Sequence, residues 1–438
     1  MEKYTYKPSG IEWLGDIPEH WKRVRLVSLG SFTKGSGISK SEIQEEGLPA
    51  ILYGDIYTKY DIKTDSLKNK ISKKTALKST EIFRGDLLLT GSGETKEEIG
   101  KCVVYDSDEQ AFAGGDIIIF RPDRADSLFL SFVLNSASAI YQKVIYSKGD
   151  IVVHIYGSKL RNVYFPIPSV HEQKVIAEYL VIATAKLDRI IAIKQEQLEK
   201  IEDMKKSKIF NACTHGLNPD VKYNKVDMGH ITKYPIHWKF ARIKRGCERI
   251  DTGKTPSTSE PEYFIDGTIE WYAPESFNDG LTINKPKKLI NERAVLDNQI
   301  KIYPKNSIFF VGVGATAGKV GIIRKPSSCN QQVNILQTNF KLVPEYLAYQ
   351  LKIIEKEVIK FAQYTTLPIL NQTRTGYLQI VYPPKNEQKE IVEYLDNYLS
   401  KLTVTKNKIV SQIGTLQAYR KSLIHECVTG KKQVTEIL

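Results

Sequence analysis

The nine residues GVGATAGKV (312–320) carry the densest set of groups that could do chemistry, three glycines and a lysine in one short loop. Backbone amides in such a loop can cradle phosphates. A G-x-x-x-x-G-K-[ST] phosphate loop, however, needs glycine where Val313 stands and a hydroxyl where Val320 stands. As a dinucleotide fingerprint, Gly312, Gly314 and Ala317 do follow the apolar run IFFV. Yet VGIIRKP comes next and reads as another strand, which leaves no helix N-terminus for a pyrophosphate. The later stretch NQQVNILQTNF offers no acid to hold a ribose. The expectation is a β-hairpin turn whose glycines take positive φ.

Other catalytic patterns fail in similar ways. VYPPK (381–385) lacks the leading Asn or Asp of an adenine-methylation signature. The seven histidines form no HExxH pair, and His20 and His237 are expected to pack beside Trp21 and Trp238. Glu172-Gln173-Lys174 and Glu387-Gln388-Lys389 resemble the E-x-K end of a nuclease cluster, but they fall in the first turn of a helix, where capping and dipole complementarity account for them. No spacing assembles a Ser-His-Asp triad. The reading is a chain with no active site, no bound cofactor and no metal.

Five loops suit nucleic acid better. They mix groups that position phosphates with groups that reach base edges. The candidates are Lys34, Ser36 and Lys40 in TKGSGISK (33–40), and Tyr53, Tyr57 and Lys59 in YGDIYTKYDIK (53–63). Lys254, Thr255, Ser257 and Thr258 follow in TGKTPSTS (252–259), Gln331 and Gln332 in NQQ (330–332), and Asn371, Gln372 and Arg374 in LNQTR (370–374). Asn and Gln can pair bidentately with adenine, and Lys or Arg with guanine. Against each loop stands ordinary solvated turn chemistry. The lysine-rich SLKNKISKKTALK (66–78) reads as a solvated face or a phosphate rail.

These loops need elements to carry them. At 438 residues the chain should fold as two to four units. Apolar residues at 41% and charged residues at 26% are globular composition, which argues against disorder. Sixty-three Lys and Arg against 50 Asp and Glu give a net charge of +13, which favours a polyanionic partner. Five scattered cysteines with no CxxC pair exclude a cysteine-only zinc site and argue against a disulfide framework. MEKYTYKPSG has no apolar signal core and no stretch approaches eighteen apolar residues, so the expectation is a reduced, cytoplasmic protein with no membrane contact.

The chain also repeats itself once. His20, Trp21 and Lys22 return as His237, Trp238 and Lys239. FRGDLLLTGSGETKEEIGK (83–101) returns as YPKNSIFFVGVGATAGKVG (303–321), and EQKVIAEYL (172–180) returns as EQKEIVEYL (387–395). The copies end in CTHG (213–216) and VTGK (428–431). Order is kept while the offset drifts only between 215 and 221, so a tandem duplication with an approximate two-fold relation is implied.

Each copy opens with a mixed segment, 1–168 and 217–384. Strand character appears in LPAILYGDI (48–56), DLLLTG (86–91), DIIIF (116–120), TIEWYA (268–273), SIFFVGVG (307–314) and VGIIRK (320–325). LFLSFVLNSASAIYQKVI (128–145) and VPEYLAYQLKIIEKEVIKFA (343–362) look helical, so the fold class is α+β (mixed α/β). A long helix closes each copy, over 169–216 and 385–438. Ser169 and Glu172 form an S-x-x-E capping box for the first, and Asn386 is the expected cap of the second, where Pro384 replaces the serine. Leu395, Leu402, Ile409, Leu416 and Leu423 lie seven apart, and the equivalent first-copy positions read Leu180, Leu187, Lys194, Ile201 and Lys208, with Ala183, Ile190 and Met204 as the intervening seam. Such a stripe over roughly 60 Å of helix is too long for one domain to cover, so the two helices should pair as an antiparallel coiled coil.

Taken in order, these features resemble the specificity subunit of a type I DNA restriction–modification enzyme, over essentially the whole chain. The resemblance rests on I-P-x-x-W (Ile17, Pro18, Trp21; Pro235, Trp238), TGKTP (252–256), the GxG strand-loop (91–93, 312–314), NQQ (330–332) and the P-x-x-x-EQ junction into each helix (Pro168, Glu172, Gln173; Pro383, Glu387, Gln388). It implies two target-recognition domains, each reading half of a split, asymmetric double-stranded DNA target, held about one duplex turn apart, roughly 34–36 Å. It further implies two methyltransferase subunits, which carry S-adenosylmethionine and flip an adenine, and two restriction/translocase subunits, which use ATP and Mg. TKGSGIS (33–39) stands where the family has G-x-T-P, and AGGD (113–116) where it has NQ, so contacts are not carried over to the first domain. The rival readings are a stand-alone DNA-modifying enzyme and a coiled-coil interaction scaffold.

Overall fold

The computed structural model describes residues 4–434 apart from 12–13, 94, 97, 150–152, 228–230, 258–259, 279, 284, 315 and 363–369, and at 356–362 it describes the backbone alone. Two compact units emerge, residues 1–195 with 410–438, and residues 196–409. Each unit joins one mixed domain to the start of its own long helix and the end of the other.

In the first unit the main sheet runs in the order Gly30–Lys34, Ile117–Pro122, Leu87–Thr90, Cys102–Tyr105, Lys63–Thr64. In the second it runs Cys247–Thr252, Val333–Thr338, Ile308–Val311, Val320–Ile322. The shared four strands have the same order and are antiparallel in both. A second sheet repeats as well. Ala111–Ala113 lies parallel to Leu48–Ile51, as Ser328–Cys329 lies parallel to Ile269–Tyr272. The duplication read from sequence is therefore present in the strands the two units share, in an α+β fold, while the first unit adds edge strands to both sheets.

The apolar runs explain why these strands sit where they do. LLLT, CVVY and IFFV are buried on both faces. Alternate residues then serve different cores, because side chains alternate across a strand. Leu87, Leu89, Val104 and Phe120 face one cluster, built with Phe129, Leu130 and Phe132, while Leu88, Val103, Ile117 and Ile119 face another. The second unit does the same with Ile308 and Phe310 on one side and Phe309 and Val311 on the other. Two expectations need correction. LPAILYGDI is a strand only over Leu48–Ile51, and Tyr53–Thr58 turns helical, with Asp55 accepting the Leu52 N–H at 2.8 Å. The run 128–145 is two helices, Ser127–Leu134 and Ala137–Tyr146, bent by 65° where Ser136 and Asn135 take up backbone groups. Among the described residues no single helix is long and apolar enough to cross a membrane.

The long helices span Val170–His215 and Lys385–Val428, and in each unit their segments run antiparallel. In the first unit Lys194 donates to Gln412 at 2.7 Å and Arg420 pairs with Asp188 at 2.9 Å. In the second, Lys406 pairs with Glu202 at 2.7 Å. Leu180, Ile201, Leu395, Ile409 and Leu423 are buried, and Leu187, Leu402 and Leu416 half-buried. Ile190, expected in the seam, is 42% exposed, and Met204 is 49% exposed. The leucine row occupies heptad position d, so its neighbour in the seam stands four residues on, at Thr184, Ile191 and Leu198.

The helix starts depart from simple capping. The Glu172 N–H donates to the Ser169 hydroxyl oxygen at 3.3 Å, but the Glu172 carboxylate turns away to accept the buried Trp21 indole N–H at 3.0 Å and the Tyr4 hydroxyl at 2.5 Å. Glu387 likewise accepts the Trp238 N–H at 3.0 Å. His20 and His237 each bond the same glutamate, at 3.1 and 2.9 Å, edge-on to their tryptophan as expected. Asn386 is not the cap. The helix begins at Lys385, and the Pro384 carbonyl takes the first helical N–H from Gln388. Gln173 and Gln388 are buried and bind Pro168 O and Pro383 O at 3.0 and 2.9 Å.

The far end of the other helix closes each clamp. Gly430, at φ +75°, lies so near Pro18 and Trp21 that a Cβ would come within 2.4 Å of the proline. Gly216, at φ +80°, abuts Trp238 and Glu387 in the second unit.

Candidate nucleic-acid interface

In the second unit four segments converge at one end of the main sheet. The Gly253 N–H donates to Val333 O at 3.1 Å and the Lys254 N–H to Cys329 O at 3.0 Å. A Cβ on Gly253 would lie 2.2 Å from the Asn330 carbonyl oxygen, so the TGKTP loop can approach this closely only with glycine. Gly312 N–H reaches Gln332 O at 2.8 Å, and Leu370 N–H reaches Gly312 O at 2.7 Å. Asn334, buried, fastens the group by donating to Leu370 O at 2.6 Å and Thr375 Oγ1 at 3.0 Å. The glycines of GVGATAGKV do make a turn between antiparallel strands, with φ of +98° at Gly314 and +96° at Gly318, but Gly312 does not take the expected positive φ.

This convergence brings most of the second-domain candidates together. Lys254, Thr255 and Gln331 are exposed and line a cleft of about 360 Å³ with Asn298 and Gln299. Thr255 donates to the side-chain Oε1 of Gln331, and Lys254 reaches Asn298 O at 3.1 Å. Gln332 is half-buried and takes an N–H from Asn330 at 2.9 Å. Asn371 caps the helix Gln372–Tyr377, its side chain accepting the Arg374 N–H at 2.9 Å, while Gln372 and Arg374 are exposed beside it. Ser257 is half-buried, and Thr258 lies outside the described residues.

The first unit builds the same frame from different side chains. Gly35 N–H donates to Ile117 O at 2.9 Å and Ser36 N–H to Ala113 O at 3.1 Å. Gly91 N–H reaches Asp116 O at 2.9 Å, and Ile155 N–H reaches Gly91 O at 2.9 Å. Position by position, AGGD stands where CNQQ stands in the other copy. The resulting cleft, about 600 Å³, is lined by Lys34, Ser92, Asp116, His154, Tyr156 and Arg161 among others. Here the candidates divide. Lys34, Lys40 and Tyr53 are exposed, and Ser36 bonds Thr80 at 3.0 Å. Tyr57 points inward, its hydroxyl on Thr90 at 2.7 Å and Ser92 O at 2.9 Å, and burial pushes it up to about 12. Lys59 is held by Asp55 at 2.6 Å and Asn69 at 3.1 Å. The polar atoms of Tyr57 and Lys59 are thus engaged within the domain.

Sequence reasoning passed over Asp116, His154, Tyr156 and Arg161, all of which line the first cleft. The signal was the repeat itself, since its offset of 215 carries Asn371 onto Tyr156. Among the described residues no group of three or more His, Cys, Asp or Glu is placed to hold a metal ion.

Residues 18–203 and 235–413 each match the family model described as the type I restriction modification DNA specificity domain. The type I restriction enzyme MjaIX specificity subunit of Methanocaldococcus jannaschii is 24% identical over 436 residues, covering 97% of this chain and 96% of that protein. A chain from a structural study of complex assembly and conformational transition in the type I R-M system superposes with a TM-score of 0.76 at 16% identity, over 95% of this chain and 99% of that one. The HsdS subunit of Thermoanaerobacter tengcongensis gives a TM-score of 0.57 at 17% identity, over 95% and 98%.

Proposed function

The chain belongs to the family of type I restriction modification DNA specificity domains, and we propose that it is the non-catalytic subunit that tells a restriction–modification complex which double-stranded DNA sequence to act on. Residues 1–168 read one half-site and residues 217–384 the other. The two frames are alike but their loops differ, with Gly115 and Asp116 where the other copy has Gln331 and Gln332. That single observation carries the reading, because equal frames with unequal side chains call for two unlike half-sites and hence a split, asymmetric target. The exposed lysines and the charge of +13 supply sequence-independent attraction to phosphates.

The long helices and the surfaces around them receive two methyltransferase subunits. Those subunits bind S-adenosylmethionine and methylate an adenine in or beside each half-site. Two restriction/translocase subunits, fuelled by ATP with Mg, complete the assembly in the cytoplasm. Co-expression with the methyltransferase subunit, followed by mapping of methylated adenines across a genome, tests the reading. A two-part motif with unlike halves is the expected result. Methylation without the partner, or none directed by this chain, overturns it.

A further inference from the structure

We propose that Asp116 reads a cytosine in the half-site served by residues 1–168, and the proposal rests on the DNA-reading function above. Asp116 is exposed in the first cleft beside Lys34 and Arg161. Among the described residues no ion pair neutralises its carboxylate. Its carbonyl holds Gly91 N–H at 2.9 Å as the Gln332 carbonyl holds Gly312 N–H at 2.8 Å, so the two side chains leave equivalent points of the frame. Its neighbour Gly115 has no side chain to compete, whereas Gln331 occupies that place in the other copy.

A carboxylate in a cleft that meets phosphates is repelled by them unless it receives a hydrogen bond. The major groove offers two such donors, cytosine N4 and adenine N6. Adenine sets its N7 acceptor next to N6, against the second carboxylate oxygen, while guanine and thymine present only acceptors to a carboxylate. Cytosine alone gives a donor without that penalty. The amides of the second copy can donate and accept together, which suits adenine.

The test is methylation by the complex of the full chain with its methyltransferase subunit, on a DNA library randomised through both half-sites. The wild type should require a C·G pair at one position of the half specified by residues 1–168. Asp116→Ala should relax the preference there by roughly 10- to 100-fold, with the other half unchanged. Asp116→Asn, nearly isosteric, should move the preference from cytosine to adenine. A wild-type half-site with no C·G requirement refutes the proposal. So does an Asp116→Asn protein that melts like wild type and keeps the wild-type base preferences. Absence of any split motif would instead remove the parent reading, and the proposal with it.

Discussion

Glu172→Ala isolates the clamp that fixes the first domain to its helix. Trp21 is fully buried and its indole N–H ends on Glu172 at 3.0 Å. Removing the acceptor strands a buried donor, which costs about 1–3 kcal/mol. The Tyr4 hydroxyl, bound to the same oxygen, lies in a half-buried place where water can replace the carboxylate. We therefore expect about 2 kcal/mol, or a fall in Tm of roughly 4–8 °C for a unit of this size. Glu172→Gln keeps a carbonyl for the indole and should lose about half as much. Glu387→Ala should repeat the effect at Trp238, which is 4% exposed, and the double variant should be additive because the sites lie in different units. Differential scanning calorimetry with tryptophan fluorescence reads all four proteins. A Glu172→Ala protein that melts within a degree of wild type would show that the Trp21–Glu172 bond adds no stability, and Glu172→Gln proving as damaging as Glu172→Ala would show that the carbonyl is not what the indole needs.

Burial pushes the Lys143 ammonium down to about 8, with Gly100 O accepting its proton at 2.7 Å. The unfolded chain then binds more protons between this value and the ordinary lysine value, so stability rises with pH across that window; relative to Lys143→Met, the wild type should gain about 1 kcal/mol between pH 7 and pH 9. Denaturant melts at the two pH values check this, and an unchanged difference would contradict it. DNA affinity should fall steeply with salt, by about a thousandfold from 50 to 200 mM if six phosphates are neutralised. Anisotropy titrations that show a flat salt response would oppose the phosphate contacts.

Much of the architecture is legible because duplication writes it twice. The apolar runs LLLT and IFFV announce central strands, and the EQ junctions announce helix starts. What escaped is tertiary. Glu172 fits a capping box by spacing, but a buried indole outcompetes the helix's own N–H for its carboxylate. Asn386 has the right residue type for a cap, yet the chain is already helical at Lys385. Ile190 and Met204 are apolar and periodic, but a row of leucines fits either heptad position and only packing decides between them. Asp116 hides in AGGD because its importance comes from occupying the place of Gln332, which the backbone pairing with Gly91 reveals. The loop residues Lys34, Lys254 and Gln331 were visible by composition, whereas the inward turn of Tyr57 depends on Thr90 and Ser92, which its helix packs against.

If two separate readers share one chain, replacing one of them should leave the half-site of the other untouched. The measurement that bears on this most directly is to exchange residues 1–168 for the corresponding domain of a relative with a different target and to map the adenines methylated by the resulting complex. The expected motif changes in one half and is kept base for base in the other. A motif altered in both halves, or in neither, would contradict it.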